Sequence, residues 1–223
     1  MSGGDLERRN DAPARSLTGM SDGLTSWPLN FLAHFHLAER TDASQIGALL
    51  GDFVRGTPES LADRFPANLI EGIMLHRAID RFTDDHPVFL QVKKLLSPER
   101  RRFAGIVIDI FFDHFLAIHW EEFGEGSLED FIEQRYLLLE KHDTWLTPEL
   151  REIVPRMRDE NWLAAYEDQA GLALTFRRIS KRRDWLTPIV GAEEDLYAHY
   201  VKFEEAFLKF YPEAVAFSAG LAQ

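Results

Sequence analysis

The sequence predicts an all-α protein built as a single compact helical domain. Apolar residues recur at helical spacing from Asn30 almost to the C-terminus. Helix-start signals such as Thr147-Pro148 and Ser127-Leu128-Glu129-Asp130 punctuate that stretch. No run alternates apolar and polar residues as a half-buried strand would, and no segment repeats another.

Residues 1–29 are rich in Gly, Ser, Asp and Pro with little periodicity, which predicts a flexible extension ahead of a domain spanning 30–215. A short helix is expected over 30–38, and a second over 43–55 ended by Gly56 and Pro58. Pro66 suits a first turn, so a helix is expected from there to about Asp84, stopping before Pro87. A short helix over 88–96 follows. Ser97 then reads as a cap and Pro98 as the first residue of a long helix reaching about Phe123, with Gly124 and Gly126 beyond it. Ser127 to Asp130 forms a capping box that opens a helix over 127–141. The helix started by Thr147-Pro148 is expected to kink or split at Pro155. Helices over 159–167, 169–182 and 192–210 complete the pattern.

Composition narrows the function classes. The 223 residues are 45% hydrophobic and include 17 Phe and 5 Trp, ample for one substantial core. The absence of cysteine removes disulfides, thiol catalysis and thiolate zinc sites. Met1-Ser2-Gly3-Gly4-Asp5 does not lead into an apolar run and does not read as a secretory signal. The most apolar stretch, Phe103 to Trp120, carries Asp109, Asp113, His114 and His119, which would be costly in lipid. The chain is therefore expected to be cytoplasmic, with no membrane partner. A formal net charge of −12 opposes nucleic-acid binding, because phosphates would be repelled.

The informative residues are polar ones placed where a core should be. The stretch Ile106 to Leu116 is apolar on almost every face, yet Asp109 and Asp113 stand one turn apart within it. Two buried carboxylates that close repel, so something positive must face them. On the preceding long helix, His76 and Asp80 share a face with Asp84 at its edge, which is half of a divalent-metal site. His34 and His36 lie in an apolar run, Asp52 follows small and aliphatic residues, and His114 and His119 add to the set. One reading is a metal site, and its imidazole and carboxylate donors suit Mn²⁺, Fe²⁺ or Mg²⁺ without excluding Zn²⁺. The other is a set of ion pairs between Asp109 or Asp113 and Arg55, Arg77 or Arg81.

Four stretches then carry a resemblance: Asn30-Phe31-Leu32-Ala33-His34-Phe35-His36-Leu37-Ala38, Asp52-Phe53-Val54-Arg55-Gly56, Gly72-Ile73-Met74-Leu75-His76-Arg77-Ala78-Ile79-Asp80, and Asp109 through Trp120. Together, and in this order, they resemble the bacterial acyl carrier protein phosphodiesterases, from Asn30 to about Tyr211-Pro212. That family is an atypical branch of the HD phosphohydrolases, although the usual His-Asp doublet stands here reversed as Asp113-His114. The resemblance implies an HD-phosphohydrolase-like fold. It also implies hydrolysis of the phosphodiester joining 4′-phosphopantetheine to a serine of holo-acyl carrier protein, with Mn²⁺ preferred and Mg²⁺ possible.

On that basis Asp52, His76, Asp80 and either Asp109 or Asp113 are the expected metal ligands. His34, His36, His114 and His119 are candidates for general acid or ligand orientation, because a serine alkoxide leaves poorly without a proton. Arg55, Arg77 and Arg81 are candidates for holding phosphate oxygens. Arg177, Arg178, Lys181, Arg182 and Arg183 fall within seven residues and are expected to dock the acidic carrier protein, with Arg100-Arg101-Arg102 the second choice. Competing expectations are an HD-type hydrolase of nucleotides, a helical interaction module holding only ion pairs, and metal storage or sensing. The sequence leaves the oligomeric state open.

Overall fold

A computed structural model describes residues 31–221, and the expected extension over 1–29 lies outside the described residues. Among the described residues there are twelve α-helices, five short 3₁₀ turns and no strand, so the protein is all-α. The helices are α1 (Phe31–Leu37), α2 (Asp42–Leu50), α3 (Pro58–Leu61), α4 (Ala67–Asp85), α5 (Pro87–Val92), α6 (Ala104–Ile118), α7 (Trp120–Phe123), α8 (Leu128–Lys141), α9 (Pro148–Asp159), α10 (Gln169–Ser180), α11 (Ala192–Ala198) and α12 (Tyr200–Leu221).

Side-chain caps set several starts. Thr41, Ser127, Thr147 and Asp168 each accept a hydrogen bond from a first-turn N–H, at Ser44, Asp130, Leu150 and Gly171. Other boundaries differ from the sequence expectation. The long helix expected over 98–123 begins only at Ala104, after a 3₁₀ turn over Arg101–Phe103, and breaks at His119. Ser97 does not cap it, because the Ser97 hydroxyl and N–H both go to Asp195. The helix expected over 43–55 stops at Leu50, and the one over 192–210 divides at His199, its second part running through Pro212 to Leu221. Pro155 is accommodated inside α9 without splitting it, and 159–167 holds only a 3₁₀ turn at Ala164–Glu167.

The core forms around α6, most of whose side chains are buried. Phe111 meets Phe176 and Phe203 edge-on, and Phe112 and Phe115 reach Phe207 of α12. On the other side, α2 and α4 approach closely enough that only glycine fits. A Cβ on Gly47 would lie 2.4 Å from the Leu69 carbonyl oxygen, and one on Gly72 2.6 Å from that of Ser44. This tight crossing brings the end of α2 against the middle of α4, where His76 sits.

Candidate functional site

Three segments distant in sequence meet beside that crossing. From α4, His76 and Asp80 project one turn apart, as their spacing requires. From the turn after α2 comes Asp52, whose Oδ1 lies 3.0 Å from His76 Nε2 in a hydrogen bond. From α1 comes His34, whose ring stacks on that of His76 with centroids 3.9 Å apart. Asp80 joins the imidazoles, with Oδ2 3.1 Å from His76 Nε2 and Oδ1 3.2 Å from His34 Nε2. Asp80 is also the accessible member, its side chain 26% exposed while the two histidines are buried.

Neither ring nitrogen of His34 has a hydrogen-bond partner, because Asp80 lies off the line such a bond needs, and His76 Nδ1 is likewise unpartnered. Buried polar atoms are normally satisfied. One ligand atom from each of His34, His76 and Asp80 lies within 4.8 Å of the others. Ligands about 2.1 Å from one ion sit up to about 4.2 Å apart, so small side-chain rotations would let all three reach it. Imidazole and carboxylate donors with orphaned nitrogens fit a divalent cation such as Mn²⁺.

The charges in the cluster are mutually dependent. Burial and the neighbouring His76 charge push His34 down to about 4, against the pull of Asp80. Burial also opposes charge on His76, but Asp52 and Asp80 override it and hold His76 well above the usual imidazole range. Burial pushes Asp52 up to about 6 despite His76. Asp80, equally disfavoured by burial, is drawn below the usual carboxylate range by His76 and His34. Asp109 lines a cavity of about 20 Å³ together with His34, Asp80, Thr83 and Tyr211. Burial first, then the carboxylates of Asp80 and Asp84, raise Asp109 well above its ordinary value.

Of the residues expected from sequence, His34, Asp52, His76 and Asp80 come together and Asp109 borders them. Asp113 does not join them. Its oxygens accept from the backbone N–H groups of Leu32 (3.2 Å) and Ala33 (2.7 Å), so it caps the start of α1, the helix that carries His34. The positive partner required by that buried carboxylate is a helix N-terminus. Burial still lifts Asp113 up to about 8.

The remaining histidines have other partners. His36 meets the Phe123 carbonyl (2.9 Å) and the Tyr211 hydroxyl (2.8 Å), while His114 meets the Tyr166 carbonyl (2.6 Å) and the Tyr200 hydroxyl (3.1 Å). His119 pairs with Glu204 at 2.9 Å. Arg77 donates to the carbonyls of Val54 (2.8 Å) and Gly56 (2.6 Å), which fixes the segment following Asp52. Arg55 and Arg81 are exposed. In the basic run, Arg178 is held by Glu160 at 2.5 Å and lies over the Trp162 ring. Arg177, Lys181 and Arg183 are exposed, and half-buried Arg182 is near enough for its charge to act on Asp52.

Sequence reasoning did not single out Gly51 or Tyr166. The Gly51 Cα hydrogen faces the His76 ring, where a Cβ would lie 2.2 Å from two ring carbons, and Tyr166 hydrogen-bonds the Phe31 N–H at 3.5 Å. The four-residue spacing of Gly47 and Gly51 was the available signal for a close helix contact.

A family model described as acyl carrier protein phosphodiesterase matches residues 29–214. Relatives named acyl carrier protein phosphodiesterase include one from Photorhabdus laumondii subsp. laumondii, 37% identical over 185 residues, covering 82% of this chain and 92% of the relative. One from Yersinia pestis is 34% identical over 185 residues, covering 82% and 94%. Another from Salmonella agona is 35% identical over 192 residues, covering 86% and 98%. No solved structure matches the chain. Among the described residues, no helix is long and apolar enough to cross a membrane.

Proposed function

The chain belongs to the acyl carrier protein phosphodiesterase family and is a hydrolase, and from that premise we propose its substrate, products and metal. The substrate is holo-acyl carrier protein, and the bond cleaved joins 4′-phosphopantetheine to the carrier's serine. Water is added across that bond, giving apo-carrier protein and free 4′-phosphopantetheine.

His34, Asp52, His76 and Asp80 would hold Mn²⁺, or Mg²⁺ in its place, with Asp109 alongside. The supporting observation is the convergence of His34, whose two ring nitrogens are unpartnered, with His76 and Asp80 in a buried site. A divalent ion bound there supplies positive charge to the phosphodiester and acidifies water toward neutral pH. Asp52 and Asp80 each bring a carboxylate oxygen to His76 Nε2, so these three donors would face the ion together, with His34 stacked beside them. Arg182, whose charge acts on Asp52, would contribute positive potential for a phosphate oxygen.

Purified protein incubated with holo-carrier protein, with Mn²⁺ or with excess chelator, and read by intact mass tests the proposal. Loss of the phosphopantetheine arm only with metal is expected. An unchanged carrier in the presence of Mn²⁺ would contradict the substrate and direct attention to nucleotide phosphodiesters.

A further inference from the structure

This inference rests on the proposed substrate, because a bond at the carrier's own serine requires the carrier surface to sit at the rim of the His34–His76–Asp80 cluster. A protein of net charge −12 can receive an acidic partner only on a local positive face. Two basic runs far apart in sequence, around Arg101 and around Lys181, are tied into one such face.

Arg100 makes the tie. Its Nε donates to the Pro188 carbonyl (3.2 Å), its Nη2 to the Val190 carbonyl (3.1 Å), and its Nη1 pairs with Asp195 at 3.2 Å. Phe103 then stacks on Trp185 with centroids 5.9 Å apart, and the Arg102 guanidinium lies 4.5 Å from the Phe103 ring. Trp185 stays 42% exposed although it is held in place by that stack. Exposed Arg102, Lys181 and Arg183 come from the elements that meet there, with the acidic Glu99, Asp184 and Glu194 on the same elements. The same run continues through half-buried Arg182, between exposed Lys181 and Arg183.

We propose that Arg102, Lys181 and Arg183, arranged around Trp185, form the surface that docks the acidic helical face of holo-acyl carrier protein. Charge complementarity selects this occupant, and a fixed, half-exposed Trp among cations is the kind of side chain that anchors an interface. The docking role expected for the 177–183 run is thereby divided. Arg178 braces the fold through Glu160, and the partner-facing charges are shared with the 100–102 run.

The test is binding of apo-carrier protein, which is not turned over, to full-length protein by calorimetry at two salt concentrations. Arg102→Glu combined with Arg183→Glu is expected to weaken binding about tenfold or more, and Trp185→Ala severalfold. Lys202→Glu combined with Lys209→Glu, the same charge change at exposed positions of α12, is expected to bind like the parent. Hydrogen exchange of the unmodified protein, with and without carrier, is expected to show protection at 100–103 and 183–186. This second measurement decides the matter should a variant fold poorly. Parent-like binding by the double variant, or protection confined elsewhere, would overturn the docking face while leaving the substrate intact. A parent protein that binds no carrier at either salt concentration would overturn both.

Discussion

Gly51→Ala isolates the contact that seats His76. The backbone at Gly51 is ordinary right-handed helix, φ −48° and ψ −37°, where Ala normally stabilises by about 0.4–1 kcal/mol through the unfolded chain. The surroundings reverse that sign. A Cβ there would lie 2.2 Å from both Cγ and Cδ2 of His76 and 2.7 Å from its Cβ. Carbon–carbon contacts settle near about 3.5 Å, so the ring would have to retreat by about 1.3 Å. His34 stacks on the ring at 3.9 Å, and Asp52 and Asp80 hold Nε2 at 3.0 and 3.1 Å, so a shift of that size breaks the cluster. Overpacking of this kind costs about 1–3 kcal/mol, which leaves up to about 2.6 kcal/mol once the backbone gain is subtracted and lowers Tm by up to about 10 °C for a chain of this length. Misplacing a site group by about 1 Å is expected to reduce turnover about 100-fold. Thermal melts, Mn²⁺ calorimetry and carrier hydrolysis read the three effects. A Gly51→Ala protein with raised Tm and unchanged Mn²⁺ affinity would refute the role given to this contact.

Two further perturbations act away from the cluster itself. Asp113→Ala leaves the Leu32 and Ala33 N–H groups without their acceptor, which is expected to cost about 2–5 kcal/mol in urea unfolding and to weaken Mn²⁺ binding through loosened His34; full stability with unchanged metal affinity would count against it. Burial lowers the imidazoles of His36 and His114, so between those values and the ordinary 6.5 the unfolded chain binds more protons than the folded one. Their contribution to stability is therefore lost as pH falls below 6.5. His36→Gln does not titrate and should flatten the slope of stability against pH in that window; an unchanged slope would show that His36 is not held neutral.

What the sequence disclosed followed from local periodicity. The four-residue step from His76 to Asp80 is enough to place both on one face of α4, and the caps at Ser127 and Thr147 are local hydrogen bonds that need no tertiary knowledge. Asp113 shows where that reach ends. Its burial implied a positive partner, but the partner is the N-terminus of α1, some 80 residues away, and is invisible to spacing rules. His34 was legible as a core histidine, yet its stacking on His76 joins α1 to α4, a tertiary contact that local spacing does not encode. Ser97 failed as a cap for a similar reason, since Asp195 from a distant helix takes its hydroxyl. His36 and His114 share the look of site residues because a hydrogen-bonded core histidine and a ligand histidine occupy the same kind of apolar run.

The most direct measurement is anomalous diffraction at the manganese edge from crystals grown with Mn²⁺. A peak between His34 Nε2, His76 Nε2 and the Asp80 carboxylate is expected, with Asp52 within reach of it. A fully occupied peak elsewhere, or no peak among these residues at saturating Mn²⁺, would contradict the assignment of the metal centre.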